Sequence, residues 1–395
     1  MQKERIQSID IFRGLTIWMM VFVNDLASVK GIPSWMKHVP AEVDGMTFVD
    51  VVFPAFLFIV GMAIPFAVER RLKGEPTLLG FWRHVWIRTL GLLVLGVYMV
   101  NSGEMNQEAS LVPKSLWAGS LYIAVVLIWN RYPQSMSQNS KSGLKVFGAL
   151  VLIVLYFLFR KGSGDQIQGM SPSWWGILGL IGWAYLISVA LFMAAKKQLR
   201  EMGIIFICML FLLLTVHKYP DGLPPISSFL GSQSGHLVHS LLVLSGIMCS
   251  LILRDTNKIN KPLQKVWGIL GILLFGMSLA VLGYFTQPFG GISKIYATPA
   301  WALYSAAICC AIYALLYLIV DIKGFSRWAN FLKPAGENPL LTYIIPPFLY
   351  AVIGFPLLGE VLNGGMGGIF RSVLFSFLIL GIASWLHKKR VHLQL

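Results

Sequence analysis

The chain has 395 residues, 56% of them hydrophobic and only 12% charged, with a formal net charge of +15. An ordinary soluble domain is roughly 25% charged, so this composition, with a mean hydropathy of +0.70, excludes a soluble enzyme or binding module. The basic residues punctuate the ends of apolar runs and form no patch, which argues against nucleic acid as a partner and fits membrane orientation and anionic headgroups.

A bilayer core takes about 20 apolar residues per helix, and backbone in lipid must satisfy its own hydrogen bonds, so helices are the default. Apolar runs between polar breaks fall at 9–26, 48–68, 82–100, 115–129, 146–160, 174–194, 203–216, 237–253, 266–285, 299–320, 339–357 and 369–386. The fourth, fifth and seventh are short, so eleven crossings is an alternative to twelve. The expected fold is an all-α polytopic membrane protein, a bundle of 11–12 transmembrane helices forming a single domain over residues 1–395.

The first run is expected to be retained as a helix and not cleaved, because Asp10 and Arg13 sit at its base and no small-x-small site follows. With the N-terminus inside, the inner segments hold 23 of the 32 Lys and Arg residues and the outer loops, Arg371 among them, hold 8. The positive-inside rule then puts both termini in the cytoplasm. Cys208, Cys249, Cys309 and Cys310 fall within apolar runs and read as small core residues.

Polar groups inside a bilayer are expensive and ask for a partner or a use. Asp10 and Arg13, three apart, share a face of the first helix near its inner end and read as an intrahelical pair. Asn24 and Asp25 close that helix, and Asp50 opens the second. The loop between them, within "WMKHVPAEVDGMTFVD" (35–50), carries His38 and Asp44. This topology gathers His38, Asn24, Asp25, Asp44 and Asp50 at an outer vestibule. A neutral imidazole whose tautomer is fixed by a carboxylate is a general base or nucleophile near neutral pH. The same residues also read as a solvated loop histidine, a cation-binding group or helix caps, Asp50 capping the second helix.

His236 and His239, three apart at the start of the eighth run, follow His217. A lone H-x-x-H lacks the glutamate of the metalloprotease motif, so no metal is expected and the pair reads as interfacial or substrate-contacting. The Gly-, Pro- and Ser-rich loop 217–236 and the loop 286–299, which holds Lys294, could form a mouth that hydrogen-bonds a sugar, or serve as plain connections. Asn338, just before Pro339, suits a helix start. Twelve spans with charged residues in the first helix also fit a secondary transporter of a small polar solute, although the carboxylates collect at one end and no inverted repeat is evident.

"SIDIFRGLTIWMMVFVN" (8–24), His38 and "DGMTFVDVVFPAFLFIVGMAIPF" (44–66) together resemble the transmembrane acyltransferases typified by lysosomal heparan-alpha-glucosaminide N-acetyltransferase and its bacterial relatives. "YPDGLPPISS" (219–228), "GISKIYATP" (291–299), "VDIKG" (320–324) and "PAGENPLLTY" (334–343) follow in the order of that family's later motifs. The resemblance implies an enzyme that takes an acetyl group from cytoplasmic acetyl-CoA and passes it to an amine or hydroxyl of a sugar or glycan on the far side. It implies His38 as the active histidine, with Asp50 as its orienter, Asp44 as the alternative orienter, and Asn24 donating to the acyl oxygen. Asn338 and Lys294 match motif residues and are expected as donor contacts; by their positions, Arg13 at the inner end is a further donor contact and Asp44, Asp25, His236 and His239 are acceptor contacts. The spacing from His38 to Gly45 is two residues longer than the family pattern, and "LVPKSLWAGS" (111–120) replaces an Arg/Gln-bearing segment. Both imply a divergent bacterial subgroup in the inner membrane, whose acceptor need not be glucosamine. The implied partners are acetyl-CoA, the acceptor and the bilayer, with a homodimer as a possible assembly.

Overall fold

The computed structural model describes residues 6–74, 77–218, 233–256, 262–354 and 362–394. The motif at 219–228 and most of the loop at 217–236 lie outside the described residues. Among the described residues the chain is helical, with only isolated β-bridges besides. Each of the twelve apolar runs coincides with a helix, and a short α11 falls between the tenth and eleventh runs: α1 (Gln7–Leu26), α2 (Phe48–Gly74), α3 (Leu78–Glu104), α4 (Lys114–Trp129), α5 (Gln138–Leu158), α6 (Ile177–Ala194), α7 (Leu199–Lys218), α8 (Ser234–Thr256), α9 (Pro262–Thr286), α10 (Pro299–Tyr317), α11 (Lys333–Glu337), α12 (Pro339–Ile353) and α13 (Gly365–Lys388). Nine helices among the described residues are long and apolar enough to cross a membrane, and α4 and α12 are shorter apolar helices.

Two of the three short runs are longer as helices than their apolar cores. α5 begins at Gln138 because the Ser137 side chain accepts a hydrogen bond from the Ser140 N–H, capping a polar first turn. α7 likewise begins at Leu199 and takes in a charged first turn. α4 remains 16 residues long.

Contacts divide the chain into two units. The first comprises Met1–Thr16, Pro33–Thr89 and Ile181–Asn330; the second comprises Ile17–Ile32, Leu90–Leu180 and Phe331–Leu395.

In the first unit, α2 and α8 form the most deeply buried crossing. A Cβ at Gly61 would run into the backbone carbonyl of Val243, and one at Gly246 into that of Phe58. Only hydrogen fits at either place, so the two helices pack backbone to backbone, the small-residue solution for helices in lipid. The Ser250 hydroxyl donates to the Met62 carbonyl at 2.7 Å and ties the same crossing. Asp321, in the π-turn Leu318–Ile322 after α10, accepts the N–H groups of Gln7 and Ser8, each at 3.0 Å, and so caps the start of α1. Cys249, Cys309 and Cys310 are buried free thiols of this unit, as the sequence suggests. Cys208 differs: it is exposed, because it lies on the outward face of α7.

In the second unit, the Trp117 indole donates to the Leu155 carbonyl at 2.8 Å and Tyr98 donates to that of Leu152 at 2.6 Å, fixing α3, α4 and α5 together. The C-terminal residues pair with the end of α4: the Arg131 N–H donates to the His392 carbonyl at 2.8 Å.

Candidate functional site

The loop between α1 and α2 is organised by its own polar side chains. A 3-10 turn at Ser34–Met36 brings Trp35 onto the Phe48 ring, with centroids 5.8 Å apart. The Thr47 hydroxyl donates to the Lys37 carbonyl at 2.8 Å and closes the loop. Asp50, in the first turn of α2, reaches back to accept the Thr47 N–H at 3.0 Å. That is half of a capping box.

The same carboxylate is 1% exposed and does more than cap. Its Oδ1 lies 2.6 Å from Nδ1 of His38, and its Oδ2 accepts the Val39 N–H at 3.3 Å, with the Thr47 hydroxyl oxygen also 3.3 Å away. A carboxylate only accepts, so Nδ1 of His38 carries the hydrogen that faces Asp50, and Nε2 points away from it.

The carbonyl of Asp50 is fixed by a sequence feature four residues on. Pro54 has no N–H to give the i−4 carbonyl, which leaves the Asp50 oxygen without its helical partner. The buried Trp301 indole, on α10, donates to it at 3.1 Å. Trp301 also lies edge-on to the His239 ring at 5.8 Å, and Phe53 packs against that ring at 5.5 Å. His239 is 5% exposed and its Nδ1 is 2.5 Å from the Gly235 carbonyl. His236 lies against Trp183 at 5.8 Å, its Nδ1 buried and without a hydrogen-bond partner among the described residues.

A second loop, between α9 and α10, is stitched onto the first. The Asp44 carboxylate accepts the Ile292 N–H at 2.6 Å, and the Gly45 N–H donates to the Ile292 carbonyl at 3.0 Å. Gly291, at φ +67°, sits so close to Asp44 that a Cβ would crowd the carboxylate. Asp44 therefore braces this loop and does not bond His38. The bracing delivers Lys294, whose Nζ lies 3.1 Å from Nε2 and 3.2 Å from Nδ1 of His38. Burial pushes the Lys294 amine below the ordinary lysine value, with the Asp50 charge pulling part of the way back.

Residues 5–220 match the model of the family described as Domain of unknown function (DUF5009), which is more than half of the chain. The chain belongs to the DUF5009 family. The DUF5009 match includes His38 and Asp50 and ends before His236, His239, Lys294 and Trp301. The chain is also similar to heparan-alpha-glucosaminide N-acetyltransferase of Mus musculus, 32% identical over 147 residues, covering 34% of this chain and 21% of that protein. The Homo sapiens protein of the same name is 34% identical over 130 residues, covering 31% of this chain and 19% of that protein. The matches span about a fifth of the length of these curated relatives.

The other candidate residues of this DUF5009 chain are placed as follows. Arg13 pairs with Asp10 at 3.3 Å on α1, as their spacing suggests. Asn24 is exposed on the part of α1 that belongs to the second unit. Asp25, which the topology of the sequence put beside His38, is buried within that unit. It accepts from Tyr350 at 2.8 Å and Ser372 at 2.6 Å, and Arg371 lies 3.4 Å away. Arg371 is thus 4% exposed and not a surface loop charge, because α13 starts six residues before it. Asn338 is 1% exposed and binds the C-terminal backbone, donating to the Val391 carbonyl at 2.9 Å and accepting from the Leu393 N–H at 3.2 Å. Among the described residues, no group of three or more His, Cys, Asp or Glu is placed to hold a metal ion.

Trp301 escapes a reading of the sequence by motif, yet it had a signal. Pro54 four residues after Asp50 leaves a carbonyl that some donor must take.

Proposed function

We propose that this protein is a membrane-embedded acyltransferase that moves an acetyl group from acetyl-CoA, presented at the cytoplasmic face, to an amine or hydroxyl of a sugar or glycan on the far side of a bacterial inner membrane. The observation that carries this reading is the 2.6 Å contact of His38 with the buried Asp50, which leaves Nε2 as the reactive nitrogen. The similarity to N-acetyltransferases supports acetyl transfer, and the bias of Lys and Arg toward one set of loops supports termini in the cytoplasm.

In this mechanism Nε2 takes the proton of the acceptor amine or hydroxyl as its heteroatom attacks the thioester carbonyl. The new C–N or C–O bond forms, the C–S bond breaks, and CoA leaves as its thiolate. Asp50 holds the ring and stabilises the imidazolium that forms. Arg13 at the inner end of α1 contacts the CoA phosphates, and His236 beside Trp183 contacts the acceptor.

Acetyl-CoA should raise the unfolding temperature of the purified protein in detergent, by an amount that grows with the logarithm of its concentration above Kd. If neither acetyl-CoA nor a longer acyl-CoA stabilises the protein, the acyltransferase reading fails and a transporter of a small polar solute takes its place.

A further inference from the structure

We infer that Lys294 is a positioning residue that keeps the His38 ring uncharged beside its buried carboxylate, so that Nε2 holds an open lone pair at neutral pH. This rests on the proposed role of His38 as the base. A carboxylate 2.6 Å from an imidazole favours the imidazolium, whose nitrogens both carry hydrogen and cannot accept a proton. Asp50 alone would therefore tend to disable the base that it orients.

The Lys294 ammonium opposes that tendency. Its Nζ is 3.1 Å from Nε2 and 3.2 Å from Nδ1, and near-equal distances place the amine across the ring and not in line with either lone pair. From there its charge disfavours a second positive charge on the ring without covering the in-plane lone pair of Nε2. The position is built: Asp44 and Gly45 tie down Ile292, and the Ser293 N–H donates to the Thr298 hydroxyl at 2.9 Å on the other side of Lys294.

The charged and titratable groups around the pair come from three elements. Asp50 comes from α2. His239 comes from α8 and lies within electrostatic range of Lys294. Lys37, Glu42 and Asp44 come from the His38 loop itself, where all three are exposed and Asp44 is engaged by Ile292. Among these, Lys294 is the cation in contact with the His38 ring.

The test is the protonation state of His38, read by nitrogen NMR on histidine-labelled protein in lipid nanodiscs, with the His38 signals assigned by comparison with His38→Gln. Wild type and Lys294→Arg should show the neutral Nδ1–H tautomer at pH 7. Lys294→Met, or Lys294→Gln if the first does not fold, should show the doubly protonated ring at pH 7. In a transfer assay the acid limb of the rate profile should move to higher pH, with the rate recovering at alkaline pH. A folded Lys294→Met protein whose His38 is protonated as in wild type overturns the inference. Absence of any acyl transfer by wild type would defeat the functional reading instead, and the NMR comparison would still decide the role of the lysine.

Discussion

Oδ1 of Asp50 lies 2.6 Å from Nδ1 of His38, twelve residues away across one loop. Asp50 meets a capping demand and an orienting demand with one side chain, so the start of α2 and the direction of the imidazole are set together. Asp50→Asn keeps an oxygen for the Thr47 N–H and should fold, but it removes the charge that supports the imidazolium. Acyl transfer should fall about 10²- to 10⁴-fold with little change in unfolding temperature. A loss of both in parallel would mean that Asp50 serves the helix alone.

Trp301→Phe removes the donor from the Asp50 carbonyl and keeps most of the ring volume. A buried carbonyl left without a partner costs about 1–3 kcal/mol, and chemical unfolding in detergent should show a loss of that size. Restoring an N–H with Pro54→Ala in the same chain should recover part of it. A Trp301→Phe protein as stable as wild type would mean that the carbonyl finds another donor.

Asp25 and Arg371 form an ion pair buried on both sides. Asp25→Ala removes a buried carboxylate from beside the Arg371 guanidinium and should cost about 3–5 kcal/mol. Arg371→Met should offset part of that loss when the two are combined. The measurement is a double-mutant cycle on unfolding free energies, and simple additivity would speak against the pair.

The depressed pKa of Lys294 has a sign that can be followed in stability. Because the folded state releases this proton more readily than the unfolded chain, the unfolded state binds more protons between the depressed value and the ordinary lysine value. Stability should therefore rise with pH through that window and be lower below it. Lys294→Met should flatten this slope in thermal unfolding curves taken from neutral to strongly alkaline pH. An unchanged slope would assign it to other groups.

The helices were legible because apolar runs mark them: all twelve runs are helices, and among the described residues nine are long and apolar enough to cross a membrane. Their ends were less so: α5 starts eight residues before its apolar core because a local Ser137 cap, not hydropathy, decides it. The His38–Asp50 pair was legible because a short loop between adjacent helices leaves the two residues few other arrangements. Lys294 was marked only as a donor contact, since it reaches His38 from 256 residues away through backbone bonds to Asp44 that no motif encodes. The Asp25–Arg371 pair was not legible, since Arg371 stands 346 residues on and looked like an ordinary loop cation.

The most direct measurement uses purified protein in sealed vesicles, with acetyl-labelled acetyl-CoA supplied on one side and a panel of amino sugars and glycans on the other. Wild type should move label onto at least one acceptor, and folded His38→Ala protein should move none. Transfer that survives in His38→Ala would contradict the central assignment.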